Sequence, residues 1–206
     1  MLRTDLIDVV NTGHAWAFVG SGPSIESGLP AWRQLVENSL KATADARRDE
    51  ITADSRFNLA FRDGHFDRCF SIIEKHTDRA HLEKVVEAQL GTPSTLSRTL
   101  EIVAEWPFAG YVTTNYDDLL ERALEQTAEP GWISIGNSED ELRKVSGDPR
   151  DVVWHVHGGI HLRPDRSHLI LTEHDYDAVY LEGSPLERQI RSLLTQRRFV
   201  FIGFGF

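Results

Sequence analysis

The chain has 206 residues, of which 40% are hydrophobic and 26% are charged. This composition is typical of one folded globular domain and excludes a disordered or collagen-like protein. Its 22 Lys and Arg against 32 Asp and Glu give a net charge of -10, so no diffuse basic field is present to bind a nucleic-acid backbone. Cys69 is the only cysteine, which excludes a disulfide framework and a zinc site of paired cysteines and favours a reducing, cytoplasmic location.

The N-terminal segment predicts a short helix. Leu2, Ile7, Val9 and Val10 recur at helical spacing, and the pattern stops at Thr12-Gly13. The segment has neither the apolar centre of a signal peptide nor the long apolar run of a membrane span. We therefore expect a protein that is neither exported by such a signal nor held in a membrane.

Five short apolar runs predict buried β-strands, at residues 15–19, 109–113, 151–157, 169–171 and 199–202. Helical patterns alternate with these runs, which predicts an α/β fold of the Rossmann-like type, a parallel sheet with helices on both faces. Residues 45–105 are rich in charge and carry apolar residues at helical spacing. We expect this interval to form a helical insertion that caps the cleft of a domain spanning residues 1–206.

The last predicted strand opens onto Gly203-Phe204-Gly205. A buried strand that ends in such a sequence normally leads into a helix. We therefore expect the sequence to be the N-terminal part of a longer chain; the alternative is a short domain whose last strand is its C-terminus.

Residues 20–24, Gly-Ser-Gly-Pro-Ser, follow the first predicted strand. Parallel α/β sheets bind ligands beyond the carboxyl ends of their strands, and glycines there let main-chain N–H groups approach a pyrophosphate. The dehydrogenase fingerprint is incomplete because Ile25 stands at its third glycine, and no Gly-Lys-Ser or Gly-Lys-Thr of a P-loop is present. Taken alone, the segment is more typical of a tight turn from strand to helix than of a nucleotide site.

Polar side chains also follow the second and third predicted strands. Asn115 could face a ligand or could cap the next helix. His155 and His157 point to the same side of their strand because side chains alternate. They could bind a metal with His161, but no further ligand follows at a familiar spacing. Otherwise His155 is a core histidine, and His157, next to the glycines, is placed to act as a base.

These segments together resemble, in order and spacing, the sirtuin family of NAD-consuming enzymes. The resemblance is carried by residues 20–24 with Ser-Gly-Leu-Pro at 27–30, by Thr-Asn-Tyr-Asp at 114–117 and by Val-His-Gly at 156–158. It differs from the deacylases of the family, because the four zinc cysteines are missing, Pro-Ala-Trp-Arg stands at 30–33, and Gly205 replaces a late serine. In these respects the chain is similar to the divergent sirtuin-like domains of bacterial defence proteins.

The resemblance implies an NAD+ glycohydrolase that yields nicotinamide and ADP-ribose, acts as a regulated effector of anti-phage defence, and uses NAD as substrate without a metal. His157 would be the base, Asn115 would position the attacking water, and Asp117 would hold the nicotinamide ribose or carboxamide. Asn115 and His157 would face one cleft with the glycine loop. The residues expected to bind the cofactor are Gly20, Ser21, Gly22, Ser24, Gly28, Trp32, Thr114, Gly203 and Gly205; Gly20, Gly22 and Ser24 would hold the diphosphate through main-chain amides and the hydroxyl.

Two alternatives stay open at this point. A protein deacylase uses the same cleavage of NAD+ but transfers the ribose to an acyl-lysine oxygen, and the missing zinc cysteines disfavour it. A non-catalytic module that binds NAD or ADP-ribose would keep the glycine loop without needing the other polar residues. The resemblance also implies an activating protein partner or a homo-oligomer, with no direct nucleic-acid binding and no membrane association.

Overall fold

The computed structural model describes residues 4–91, 95–127, 131–145, 149–162 and 167–205. Five strands form one sheet in the order β3-β4-β2-β1-β5, and every neighbouring pair is parallel. The prediction of a parallel, Rossmann-like α/β fold is confirmed. The strands are β1 (Trp16–Val19), β2 (Gly110–Thr113), β3 (Ile133–Ile135), β4 (Val152–His155) and β5 (Phe199–Ile202).

Twelve α-helices lie within the described residues, together with a short 3-10 helix at Ile160–Leu162. The first of them ends just before Thr12, as the sequence predicts. The helices are α1 (Thr4–Asn11), α2 (Gly22–Glu26), α3 (Trp32–Ala42), α4 (Asp45–Ala53), α5 (Ser55–Asp63), α6 (Phe66–His76), α7 (Arg79–Gln89), α8 (Arg98–Glu105), α9 (Leu119–Glu125), α10 (Glu139–Lys144), α11 (Glu173–Tyr180) and α12 (Pro185–Gln196).

One predicted strand is wrong. Residues 169–171 are buried but form no strand within the described part of the chain; the N–H of Leu171 donates to the Asp175 carboxylate at 3.0 Å, beside the start of α11. The sheet instead contains β3, a three-residue edge strand that no apolar run announces. A short, wholly apolar run fits several buried conformations equally well, so periodicity cannot assign it.

The chain divides into two compact units. The first comprises Met1–Gly28, Thr92–Leu169 and Glu182–Phe206 and contains the sheet. The second comprises Leu29–Gly91 and Ile170–Leu181, and its described residues form the helices α3 to α7 and α11. The interval predicted as a helical insertion, residues 45–105, is helical over most of its described part; α4 to α7 lie in the second unit and α8 in the first.

The central strands of the first unit are buried on both sides. Trp16, Tyr111 and Trp154 are fully buried, and the Tyr111 hydroxyl donates to the carbonyl of Val103 at 3.0 Å. Strands with two covered faces read as continuous apolar runs, which is why the sequence reveals β1, β2 and β4. This packing gives a rigid platform for the polar loops that follow these strands.

The second unit has its own apolar core. Phe70, Ile73, Leu82 and Val86 are fully buried on α6 and α7. Cys69 is buried with them, and burial raises the pKa of its thiol to about 11. Cys69 is therefore a small residue of this core. In the described part of the chain, no helix is long and apolar enough to cross a membrane.

Candidate active site

The polar motifs meet at the carboxyl edge of the sheet. Val19 of β1 is in register with both Thr113 of β2 and Ile202 of β5, and Thr113 is in register with His155 of β4. Parallel strands that end in register deliver the residues after them to one edge. The glycine loop, the Asn115 segment, His157 and Gly203 therefore all start from this edge.

The glycine loop packs against the end of β5. The N–H of Gly20 donates to the carbonyl of Ile202 at 2.8 Å, and that of Gly22 donates to the carbonyl of Gly203 at 2.9 Å. A Cβ added to either loop glycine would lie 2.9 Å from a main-chain atom of Gly203. The two glycines are thus required for this close approach, and both N–H groups are bonded within the protein. Their contact with a diphosphate stays a prediction.

The side chain of Asn115 is fixed to the glycine loop. Its Nδ2 donates to the carbonyl of Gly20 and to Oγ of Ser24, both at 3.0 Å. Its main-chain N–H donates to the Thr113 hydroxyl at 3.0 Å, and that hydroxyl donates to the carbonyl of Val19 at 2.8 Å. Within the described residues, Oδ1 of Asn115 accepts no hydrogen bond, so it is the end of the amide that can meet a ligand or a water.

Ser24 links Asn115 to Asp117. Both Ser24 and Asp117 are buried, at 4% and 6% exposure. The Ser24 hydroxyl hydrogen-bonds to the Asp117 carboxylate, which also accepts the N–H of Leu119 at 3.2 Å. Burial raises the pKa of Asp117, and these hydrogen bonds oppose the rise. An amide, a hydroxyl and a carboxyl therefore form one connected polar group.

His157 lies at the same edge. His157 is two residues beyond His155. Asn115 is likewise two residues beyond Thr113, which is the register partner of His155. The N–H of Val156 donates to the carbonyl of Thr113 at 3.0 Å and continues the pairing toward His157. His157 is only 7% exposed, and burial lowers its pKa to about 4. The imidazole is consequently neutral near pH 7, the form that can accept a proton.

His155 is a fully buried residue with two oxygen neighbours. Its Nε2 lies 2.7 Å from Oε1 of Glu121, and its Nδ1 lies 2.9 Å from the main-chain oxygen of Asn115. Burial opposes the charged ring, but the charge and hydrogen bond of Glu121 outweigh it and raise the pKa of His155. This geometry agrees with the interpretation of His155 as a satisfied core histidine.

Glu121 is a polar site residue that sequence reasoning missed. Besides His155, its Oε1 accepts from the Ser134 hydroxyl at 2.8 Å and lies 3.2 Å from Nε2 of His161. Burial raises the pKa of Glu121, but the two histidines outweigh that effect and lower it. The only sequence signal is that Glu121 stands four positions after Asp117, a spacing of about one helical turn.

The Glu121, His155 and His161 side chains also test the possibility of a metal site, because their ligand atoms lie within 4.8 Å of one another. Zinc bonds to nitrogen and oxygen are roughly 2.0–2.2 Å, which sets tetrahedral ligand atoms more than about 3 Å apart. The 2.7 Å separation between Glu121 and His155 is instead that of a charged hydrogen bond. The arrangement is an ion pair.

The other residues predicted to bind the cofactor are Ser21, Thr114, Gly28, Gly205 and Trp32. Ser21 precedes α2 and its carbonyl accepts the N–H of Ile25 at 2.9 Å, while Thr114 is half-buried after β2. Gly28 has a φ of +96, and a Cβ at Gly205 would meet no atom within 4 Å. Trp32 belongs to the second unit, where its ring contacts Phe70 with a centroid separation of 5.7 Å.

Comparison with known proteins agrees with this geometry. Residues 109–206 match the family model described as a SIR2-like domain. The predicted resemblance to sirtuin-like domains is thereby confirmed, and the matched part of the chain includes Asn115, His157 and Gly203.

Curated relatives match nearly the whole chain. A protein named NAD(+) hydrolase ThsA from Bacillus cereus (strain MSX-D12) is 24% identical over 98% of this chain and 39% of its own length. Proteins of the same name from Acinetobacter baumannii (strain 532279) and Cytobacillus dafuensis are each 24% identical, over 92% and 100% of this chain and 36% and 38% of their own lengths. The chain thus spans less than two fifths of the length of these relatives.

Proposed function

We propose that this domain hydrolyses NAD+ to nicotinamide and ADP-ribose. The observation that supports the proposal most directly is the fixed side-chain amide of Asn115, which Ser24 joins to the buried carboxyl of Asp117. Neutral His157 follows a strand that ends at the same edge of the sheet. The curated relatives that match nearly the whole chain carry the name NAD(+) hydrolase.

The chemistry requires few groups. Nicotinamide is cationic in NAD+ and leaves as a neutral molecule, so its departure needs little acid catalysis. As the C–N glycosidic bond breaks, its electron pair goes to the nicotinamide nitrogen, and the anomeric carbon gains positive charge. The oxygen of a water then bonds to that carbon and releases a proton.

The described residues can supply each remaining role. Oδ1 of Asn115 would accept a hydrogen bond from the attacking water and orient it. Neutral His157 would take the proton, either from that water or from a ribose hydroxyl, and a well-placed base contributes about 10²–10⁴-fold. Asp117 would hold the nicotinamide ribose or carboxamide, and its carboxylate would stabilise the developing positive charge.

Substrate binding is proposed for the loops around this edge. The diphosphate would lie against the glycine loop and the end of β5, with contacts from Ser21, Gly28, Thr114 and Gly205. Trp32 is proposed as a further contact by resemblance alone.

We further propose that the activity belongs to a regulated, cytoplasmic effector of bacterial anti-phage defence. A cell could not tolerate unrestrained NAD+ hydrolysis, so an activating partner or self-association would order the site. Residues 45–105 would act as a helical cap of this domain.

The experiment is a product analysis with the full-length protein. NAD+ is incubated with the wild type and with Asn115→Ala and His157→Ala, under activating conditions and with an acetyl-lysine peptide in parallel, and the products are separated by chromatography. Release of nicotinamide and ADP-ribose that both substitutions reduce at least 100-fold supports the proposal. Acetylated ADP-ribose would show a deacylase, and tight binding without turnover would show a sensor module.

A further inference from the structure

The Glu121–His155 pair lies beside the proposed reactive group and has no part in the mechanism above. The pair is hydrogen-bonded to the site through the main-chain oxygen of Asn115, which lies 2.9 Å from Nδ1 of His155, and the charges of both side chains also act on the Asp117 carboxyl. The connection joins the end of β4 to the loop after β2, and its two residues are 40 positions apart in the sequence.

Both ring nitrogens of His155 must carry a proton. Nδ1 faces a carbonyl oxygen, which can only accept, and Nε2 faces a carboxylate oxygen at 2.7 Å. A neutral imidazole has a single N–H and would leave one nitrogen lone pair against an oxygen lone pair. Glu121 therefore keeps His155 in the imidazolium form, which makes the Nδ1–H a charged and stronger donor to the Asn115 oxygen than a neutral ring would supply.

Asn115 is held at three points. Its main-chain N–H is bonded to Thr113, its side-chain amide to the glycine loop, and its main-chain oxygen to His155. The peptide unit that carries this oxygen begins at the Asn115 Cα. The imidazolium therefore fixes the direction in which the Asn115 side chain leaves the main chain.

We propose that Glu121 and His155 are positioning residues for NAD+ hydrolysis, which hold the Asn115 amide in its reactive orientation through the Asn115 main-chain oxygen. This inference rests on the proposed function. Neither side chain is required to touch the substrate, and their contribution is to the geometry of Asn115. A misplacement of a reacting group by about 1 Å can cost 10²-fold in rate.

The test compares Glu121→Gln and His155→Asn with a matched control. Glu121→Gln keeps the shape but removes the charge that holds the imidazolium. His155→Asn keeps a donor near the position of Nδ1 but loses the partner of Glu121. Glu141→Gln makes the same change at another buried carboxyl, on α10, which accepts from the N–H of Gly136 and from Lys144.

Turnover is the first readout, measured in the activated full-length protein. We expect Glu121→Gln to lower kcat roughly 10–100-fold with KM for NAD+ changed less than about 3-fold. His155→Asn should retain more activity than His155→Leu. The double variant Glu121→Gln/His155→Asn should be no less active than the less active of the two single variants, because both substitutions break the same unit. Glu141→Gln should keep the wild-type kcat. Equal loss in Glu141→Gln, or wild-type kcat in Glu121→Gln, would overturn the proposal.

Nuclear magnetic resonance supplies a readout that needs no turnover. The ¹⁵N shifts of the His155 ring should report two N–H groups at pH 7 in the wild type and one in Glu121→Gln. The side-chain amide signals of Asn115 should shift in Glu121→Gln and stay unchanged in Glu141→Gln. If the wild type does not hydrolyse NAD+, the proposed function fails. The nuclear magnetic resonance signals then still show whether Glu121 and His155 position Asn115. Activity that chelators remove from the wild type would overturn the inference in favour of a metal at Glu121, His155 and His161.

Discussion

The side-chain amide of Asn115 lies 3.0 Å from the hydroxyl of Ser24, a residue 91 positions earlier in the chain. The same hydroxyl reaches the carboxylate of Asp117. The sequence places Ser24 in a glycine-rich segment that suggests phosphate binding. The structure instead makes its hydroxyl a bridge between two groups of the proposed catalytic apparatus.

Ser24→Ala should therefore act on turnover more than on substrate binding. Removing the hydroxyl takes one partner from Asn115 and one from Asp117, and we expect kcat for NAD+ to fall about 10–100-fold. Loss of the buried hydrogen bonds should also lower the free energy of unfolding by roughly 1–3 kcal/mol. Steady-state kinetics and urea denaturation measure the two effects. A large rise in KM with unchanged kcat would instead support a diphosphate contact.

Gly22→Ala should destabilise the first unit. The new Cβ would lie 2.9 Å from Cα and 3.0 Å from the carbonyl oxygen of Gly203, neither of which can move without shifting the end of β5. Overpacking of this kind typically costs about 1–3 kcal/mol. Gly91→Ala is the control, because its Cβ would meet only one atom, at 3.8 Å, and Gly91 needs no positive φ. Thermal unfolding should separate the two variants, and equal melting temperatures would contradict the packing argument.

His157 should make stability fall as the pH is lowered below neutrality. Its pKa is about 4 in the folded protein against 6.5 for the free side chain, so the unfolded chain binds the proton first. Between pH 7 and 5 this linkage should remove about 2 kcal/mol from the free energy of unfolding. His155 acts in the opposite direction: its pKa is raised above 6.5 in the folded protein, so the unfolded chain loses the proton first as the pH rises, and this contribution to stability falls with rising pH. It is common to the wild type and His157→Gln.

Urea denaturation at a series of pH values measures this dependence. The slope between pH 5 and 7 should be smaller in His157→Gln than in the wild type. The same low pKa predicts that NAD+ hydrolysis is not limited by protonation of His157 between pH 6 and 8. A loss of activity centred near pH 6.5, absent from His157→Gln, would contradict this environment for the imidazole.

Cys69 should be unreactive in the native protein. It is fully buried, and a pKa of about 11 leaves very little thiolate near pH 7. Incubation with iodoacetamide followed by mass spectrometry should show no modification until denaturant is added. Rapid labelling of the folded protein would mean that the core of the second unit opens readily.

The sequence predicts the parts of the fold that have strong local signals. Four of the five strands follow from apolar runs, and the motifs locate Asn115, Asp117 and His157 at strand ends. Strand β3 escapes prediction because three residues at a sheet edge carry too little pattern, and 169–171 is misassigned because burial alone does not imply pairing. The sequence pattern also gives no signal for the boundary at Leu29 between the two units.

The role of Glu121 lay beyond sequence reasoning for a different reason. On α9 it follows two buried leucines and looks like the solvent-facing residue of an amphipathic helix. Its partner His155 is 34 residues away, on β4, and only the order of strands in the sheet brings the two together. Pairings set by topology leave no periodic trace in the chain.

The bond from the Gly22 N–H to the Gly203 carbonyl ties the loop beside the proposed nucleotide site to the end of β5. A diphosphate that takes the Gly22 N–H must first separate it from Gly203, so occupancy of the site and the position of this strand end are thermodynamically linked. Linkage is reciprocal. An event that displaces Gly203 from the loop would raise the affinity of the site for nucleotide, and bound nucleotide would favour the displacement of Gly203 by the same factor. An activator could therefore control the site without touching the substrate.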